Sequence, residues 1–96
     1  MYNKFGQFID GKWQPSEKNE TYEVINPATE EIIGHASKAT SVDVNKALKS
    51  AEKGFEVWKK TPPWKRSSII RKIADLIRSK QDILAKWLTL EVGKPF

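Results

Sequence analysis

The sequence predicts an α+β chain in which two N-terminal β-hairpins are followed by three amphipathic helices. The first forty residues are rich in β-forming side chains, which the turn signals Asp10-Gly11 and Asn26-Pro27 separate. From residue 41 the apolar residues recur every three or four positions, as they do on one face of a helix. Pro62-Pro63 then interrupts this helical half.

The first hairpin is predicted around Asp10-Gly11. These two residues suit the positive-φ positions of a two-residue turn, so residues 5–9 are expected to pair with residues 12–15. The flanking β-formers are Phe5, Phe8, Ile9 and Trp13.

The second hairpin is predicted around Asn26-Pro27. Proline fixes its own φ and moves the preceding residue out of the helical region, so the chain reverses here. Residues 21–25 are then expected to pair with residues 31–36.

The first helix is predicted to begin at residue 41. Thr40 followed by Asp43 resembles a capping box, and Pro62-Pro63 ends the helix. Its apolar stripe consists of Val44, Ala47, Leu48, Ala51, Phe55 and Trp58.

Two further helices are predicted in the remaining chain. The second begins near Pro63 or Trp64, where proline is tolerated in the first turn. Ser79 with Asp82 resembles a cap for the third helix, and Gly93 is expected to end it. We therefore expect residues 1–96 to form one unit, with hairpins in 1–40 and helices in 41–96.

Composition excludes several kinds of enzyme. A chain of 96 residues is too short for separate cofactor and substrate domains. It contains no cysteine, which excludes a disulfide, a thiolate nucleophile and a thiolate metal site. The five glycines do not form a phosphate-binding loop. No apolar stretch resembles a signal peptide or a membrane span, so a soluble cytoplasmic protein is expected.

The polar candidates have ordinary interpretations. His35, the single histidine, has no nucleophile beside it and is expected to be a strand residue. Glu30 and Glu31 are adjacent, so on a strand they would point to opposite faces and not form an acid/base pair.

The net charge of +5 is unevenly distributed, because residues 1–48 carry −2 and residues 49–96 carry +7. Residues 58–66 contain two tryptophans, Trp58 and Trp64, each followed by two cations. Such a stretch can bind nucleic acid by stacking and phosphate contacts. The favoured interpretation places both indoles in a core at the corner between the first two helices.

The order of several motifs resembles the N-terminal portion of the NAD(P)-dependent aldehyde dehydrogenases. Each motif is weak alone, but together they cover nearly the whole chain, and the last is most similar to the succinate-semialdehyde dehydrogenase branch. The motifs are Phe8-Ile9-Asp10-Gly11-Lys12-Trp13, Val24-Ile25-Asn26-Pro27-Ala28-Thr29-Glu30, Ala47 through Trp58, Arg66, and Leu88-Thr89-Leu90-Glu91-Val92-Gly93-Lys94-Pro95.

The resemblance implies that this chain is the opening segment of a longer Rossmann-like α/β enzyme that oxidises a small aldehyde to the acid. Residues 1–96 would then be an incomplete N-terminal part of that enzyme's cofactor-binding domain. The family's catalytic cysteine, glutamate and asparagine, and its cofactor contacts, lie downstream of the matched region. No catalytic or cofactor-binding residue is therefore assigned here. NAD or NADP is expected for the parent enzyme, none is expected to bind this chain alone, and the chain alone is expected to be inactive.

The resemblance also implies one site within the chain. Some family members bind a monovalent cation through backbone carbonyls before the Asn-Pro turn and through a carboxylate near the Gly-Lys-Pro motif, which correspond here to Val24, Ile25 and Glu91. The alternative is that Glu91 caps or solvates the end of the third helix.

Two expectations concern partners. A truncated segment would leave strand edges and apolar stripes in water, so a homo-oligomer is expected, although the helical stripes are also expected to cover one another in part. The alternative function is an independent basic α+β module that binds nucleic acid through residues 58–66 and the second helix; no membrane partner is expected.

Overall fold

The structure, a computed structural model, describes residues 6–96 and contains two separate hairpins followed by three helices. Phe5, which is predicted to belong to the first hairpin, lies outside the described residues. The elements are β1 (Gln7–Ile9), β2 (Lys12–Gln14), β3 (Thr21–Ile25), β4 (Ile32–Ser37), α1 (Ser41–Lys60), α2 (Pro63–Ser79) and α3 (Gln81–Val92). The predicted fold class is confirmed.

The first hairpin turns where the sequence predicts. Asp10 and Gly11 adopt φ values of 54° and 75°, as a two-residue turn requires. Phe8 lies opposite Trp13, and their ring centroids are 5.0 Å apart. The two rings are tilted relative to each other, which is an arrangement that aromatic pairs prefer.

The second hairpin contains an irregularity next to its turn. Val24 lies opposite Gly34, but the next residue, Ile25, lies opposite Ile32, so Ile33 has no direct partner across the ladder. An extra residue of this kind bends the strand and locally interrupts its pairing. The turn itself is held by Asn26, whose side-chain Oδ1 accepts a hydrogen bond of 2.9 Å from the N–H of Ala28.

Helix α1 has the predicted capping box. The Thr40 side chain accepts from the N–H of Asp43 at 3.4 Å, and the Asp43 carboxylate accepts from the N–H of Thr40 at 2.9 Å. Both interactions satisfy N–H groups that the first turn leaves without helical partners.

The joints around α2 and α3 fit the prediction only in part. Pro63 occupies the first turn of α2, and Gly93 ends α3 with a left-handed φ of 74°. The predicted Ser79 cap is wrong, because the N-cap of α3 is Lys80, without a side-chain hydrogen bond. The Ser79 hydroxyl instead donates to the Leu76 carbonyl at 2.8 Å, which keeps it within the last turn of α2.

The described residues form a thin plate of 47 × 34 × 17 Å. Ile9 is its one buried hydrophobic residue, and the apolar stripes of α2 and α3 are about half exposed. The predicted indole core is wrong, since 73% of Trp64 and 37% of Trp58 remain exposed. Helices at the edge of a plate have no second layer to pack against.

Candidate cation site and the absent reacting groups

The described residues hold no cluster of three or more histidine, cysteine or acidic side chains that would bind a metal. His35 lies on β4 opposite Glu23 and is exposed, as expected for an ordinary strand residue. Glu30 lies in the turn with φ of 61° and Glu31 follows it, both exposed, so they do not form a buried acid/base pair. These candidates therefore provide no nucleophile and no activated base.

The helix starts of the described residues lack the usual features of a dinucleotide phosphate site. Phosphates bind at helix N-termini whose N–H groups are open and preceded by a glycine-rich turn. The N-terminus of α1 is occupied by the Asp43 carboxylate, which would repel a phosphate. Helix α2 begins at Pro63 after Pro62, and α3 begins after Lys80, so neither start follows a glycine-rich turn. No helix N-terminus within residues 6–96 therefore offers a phosphate cradle of this kind.

The turn after β3 offers backbone oxygens. Val24 is half-buried and Ile25 is the last residue of β3, directly at the ladder irregularity. Asn26 is 9% exposed, and its backbone N–H and carbonyl both bond within the turn, to Glu31 at 2.9 Å and to Glu30 at 2.8 Å. Two backbone hydrogen bonds of Asn26 therefore hold the turn directly after the carbonyls of Val24 and Ile25.

The end of α3 lies against this turn. A Cβ built on Gly93 would come 3.2 Å from the Pro27 Cγ, which is closer than most side-chain contacts. Glu91 lies two residues before Gly93, on the last turn of α3. The structure thus brings the two segments of the predicted cation site to the same place, although they are more than sixty residues apart in sequence.

Among the described charged residues Asp43 is the most buried, at 2% exposed, and it joins the hairpin half to the helical half. Its carboxylate accepts from the N–H of Glu17 at 3.1 Å to each oxygen, besides the bond from Thr40. The Thr40 N–H bond is the main reason that the pKa of Asp43 lies below its ordinary value of 3.8; burial opposes this, and the bonds from Glu17, Gln7 and the Thr40 hydroxyl assist it. The Asp43 carboxylate therefore stabilises the contact between the loop after β2 and the start of α1.

A family model for the aldehyde dehydrogenase family matches residues 13–96. This chain belongs to the aldehyde dehydrogenase family. The chain is 42% identical over 88 residues to succinate-semialdehyde dehydrogenase [NADP(+)] 2 of Schizosaccharomyces pombe, covering 92% of this chain and 18% of that protein. It is 38% identical over 89 residues to a putative aldehyde dehydrogenase of Staphylococcus aureus, covering 93% and 19%.

Solved aldehyde dehydrogenases contain the same arrangement of hairpins and helices. An aldehyde dehydrogenase of Bartonella henselae superposes with a TM-score of 0.93 at 33% identity, over 99% of this chain and 20% of that one. A betaine aldehyde dehydrogenase of Staphylococcus aureus in complex with NAD+ gives 0.90 at 34% identity, over 97% and 19%. The chain therefore spans about one fifth of the length of these relatives, in their N-terminal region. No helix in the described part of the chain is long and apolar enough to cross a membrane.

Two features of the structure were not predicted from the sequence. The Nε of Arg66 is buried without a hydrogen-bond partner at the corner of α1 and α2, although the position itself belongs to the motif order that resembles the family. The second is a group of lysines around the first hairpin and α1. Their helical spacing was available in the sequence, but the placement of the hairpin beside them was not.

Proposed function

We propose that this chain is the N-terminal scaffold of an aldehyde dehydrogenase that oxidises a small aldehyde, of the semialdehyde class, to the carboxylic acid. The observation that carries the proposal is the family match across residues 13–96. The relative at 42% identity, named a succinate-semialdehyde dehydrogenase, supports the substrate class, and its NADP(+) together with the NAD+ of the betaine aldehyde dehydrogenase supports a nicotinamide dinucleotide.

The reaction requires chemical groups that this segment does not contain. Aldehyde oxidation by the family's route requires a thiolate nucleophile and an oxyanion site beside a bound nicotinamide, which accepts the hydride. The sequence contains no cysteine, and its helix N-termini offer no phosphate cradle. We therefore expect residues 1–96 alone to be inactive and the reacting groups to come from chain beyond the matched fifth.

The exposed apolar stripes support a scaffold role. Large hydrophobic side chains along α2 remain half exposed, among them Ile70, Ile73 and Leu76. Apolar surface of this extent is normally covered by another part of a protein. Assembly with further enzyme domains, and a homo-oligomer in the cytoplasm, are parts of the same proposal.

The scaffold role is tested by a chimera. Residues 13–96 replace the matching segment of the Schizosaccharomyces pombe relative, and reduction of NADP+ with succinate semialdehyde is measured. We expect the chimera to be active, and we expect the 96-residue chain and the relative lacking its matching segment to be inactive. Reduced cofactor produced by the lone chain, or a folded but inactive chimera, would contradict the proposal.

We also propose that Val24 and Ile25, through their carbonyls, and Glu91, through its carboxylate, bind a monovalent cation. Oxygen ligands suit a hard cation. The proposal is supported by the approach of Gly93, two residues after Glu91, to Pro27, two residues after Ile25. The alternative is that Glu91 serves the helix end alone.

Thermal melts of the chain and the chimera in sodium, potassium or choline chloride at equal ionic strength test this site. We expect sodium or potassium to stabilise the wild-type sequence and Glu91→Gln to abolish that difference. Glu52→Gln, a matched change on the exposed surface of α1, should preserve it. Identical melts in all three salts would leave the helix-end role alone.

A further inference from the structure

A groove lies between the first hairpin and α1, away from the candidate cation site. It encloses about 340 Å³, and we call it the lysine groove. The described residues that line it are Ile9, Asp10, Lys12, Gln14, Lys46, Lys49, Ser50 and Lys53. The four lysines and one aspartate among them carry a net charge of +3, whereas the whole chain carries +5.

The helix supplies one wall of the lysine groove. Lys49 follows Lys46 by three positions and Lys53 follows Lys49 by four, so the three lysines lie on the same face of α1. Lys12 approaches from the start of β2, on the other wall. Like charges at this spacing repel one another, and a bound anion would remove that cost.

A hydrogen bond fixes the two walls relative to each other. The Ser50 hydroxyl donates to Asp10 Oδ1 at 3.0 Å, which ties the hairpin turn to the lysine-bearing face. The single carboxylate of the groove is thereby already engaged. Ion pairs within residues 6–96 form at Lys59 with Glu56 and at Arg78 with Asp75, both outside the groove.

From this geometry we propose that the lysine groove binds a small molecule carrying two or more phosphate groups. Lysine ammoniums act as point charges that suit phosphate oxygens. The groove has the volume of a small-ligand site. None of the described residues that line it is aromatic, so within residues 6–96 it lacks the stacking surface with which proteins hold single-stranded nucleic acid. The site is independent of the proposed dehydrogenase function.

Pyrophosphate is the probe that tests the lysine groove. Amide chemical shifts of the ¹⁵N-labelled chain are recorded during titration in low-salt, phosphate-free buffer. We expect the largest shifts at residues 10–14 and 46–53, with weaker binding in added salt because the contacts are electrostatic. Inorganic phosphate should bind at the same residues more weakly, since it has one phosphate group.

Two variants of equal charge separate a site from general attraction to a basic chain. Lys46→Gln/Lys49→Gln/Lys53→Gln should weaken pyrophosphate binding by about fivefold for each ammonium lost, because a contact pair in water is worth about that factor. Lys60→Gln/Lys72→Gln/Lys86→Gln removes three exposed lysines elsewhere and should leave binding within about twofold once screening is matched.

Three results would overturn the proposal: no shifts with pyrophosphate, equal weakening in both variants, or a single-stranded oligonucleotide that occupies the groove and is not displaced by pyrophosphate. Ser50→Ala gives a second measurement that leaves every lysine in place. Because it frees Asp10 and loosens the hairpin, it should weaken binding while α1 keeps its helical circular dichroism.

Discussion

At the scale of single residues, Asp43 does the most to join the two halves of the chain. Its carboxylate closes the cap of α1 and also holds the N–H of Glu17, 26 positions earlier. The sequence predicts the first of these roles from the spacing between Thr40 and Asp43, which is local. The second depends on how the loop after β2 returns to the helix, which no spacing in the sequence reveals.

The pH dependence of stability tests Asp43. Because its folded pKa lies below 3.8, its contribution is complete above that ordinary value and is lost as pH falls through the lowered folded pKa. We expect Asp43→Asn to melt at a lower temperature at neutral pH and to show less further loss on acidification, followed by circular dichroism. Equal melting temperatures at neutral pH would contradict this.

Two glycines with the same backbone geometry form a matched pair. Gly93 and Gly11 have φ of 74° and 75°, but a Cβ at Gly93 would press on Pro27 while a Cβ at Gly11 meets nothing within 4 Å. Gly11→Ala should cost the left-handed strain alone, about 1–2 kcal/mol. Gly93→Ala should cost more and should shift the amide signals of the Asn26-Pro27 turn. Equal losses would show that α3 does not rest on that turn.

At the scale of elements, the order and bounds of the strands and helices follow from local signals. Asp10-Gly11, the proline pair after α1 and Gly93 each act through their own backbone preferences, so the sequence predicts them well. Ser79 was mispredicted because a serine near a helix joint can bond backward to a carbonyl as readily as forward to an N–H. The candidate cation site comes from the family resemblance, whereas the closeness of its two segments follows from the approach of Gly93 to Pro27, which no local signal in the sequence predicts.

Loss of the hydroxyl should have different effects at Thr40, before α1, and at Ser79, at the end of α2. Thr40→Ala removes a side chain that caps α1 and should cost about 1 kcal/mol. Ser79→Ala removes a bond within α2 and no cap, so it should change stability by less than about 0.5 kcal/mol. Helical melts of both variants measure the difference; a larger loss at Ser79 would reverse the assignment of caps.

At the scale of the whole molecule, the shape explains why the indole core was mispredicted. The radius of gyration is 16.6 Å, whereas a compact chain of this length has about 12–13 Å. Helical periodicity states which side chains share a face but not whether the covering layer belongs to the same segment. Ile73 and Trp64, correctly placed on helices, are exposed because residues 6–96 do not include that layer.

Exposed stripes predict self-association of the isolated chain. Light scattering at micromolar concentration should give a mass above the 11.0 kDa of one chain. Ile73→Lys places a charge within the stripe of α2 and should lower that mass, whereas Ser68→Lys adds the same charge at an exposed polar position of the helix and should not. A wild-type mass of one chain would contradict the expectation.

Lys80 is both the C-cap of α2 and the N-cap of α3, so a single residue joins the two helices. Inserting a single amino acid that extends α2 would swing α3 by about 100° around the axis of α2, because each helical residue advances by that angle. Glu91 and Gly93 would swing away from Pro27 together. Natural length variation among homologous chains should therefore avoid this position and accumulate in the loop between the hairpins.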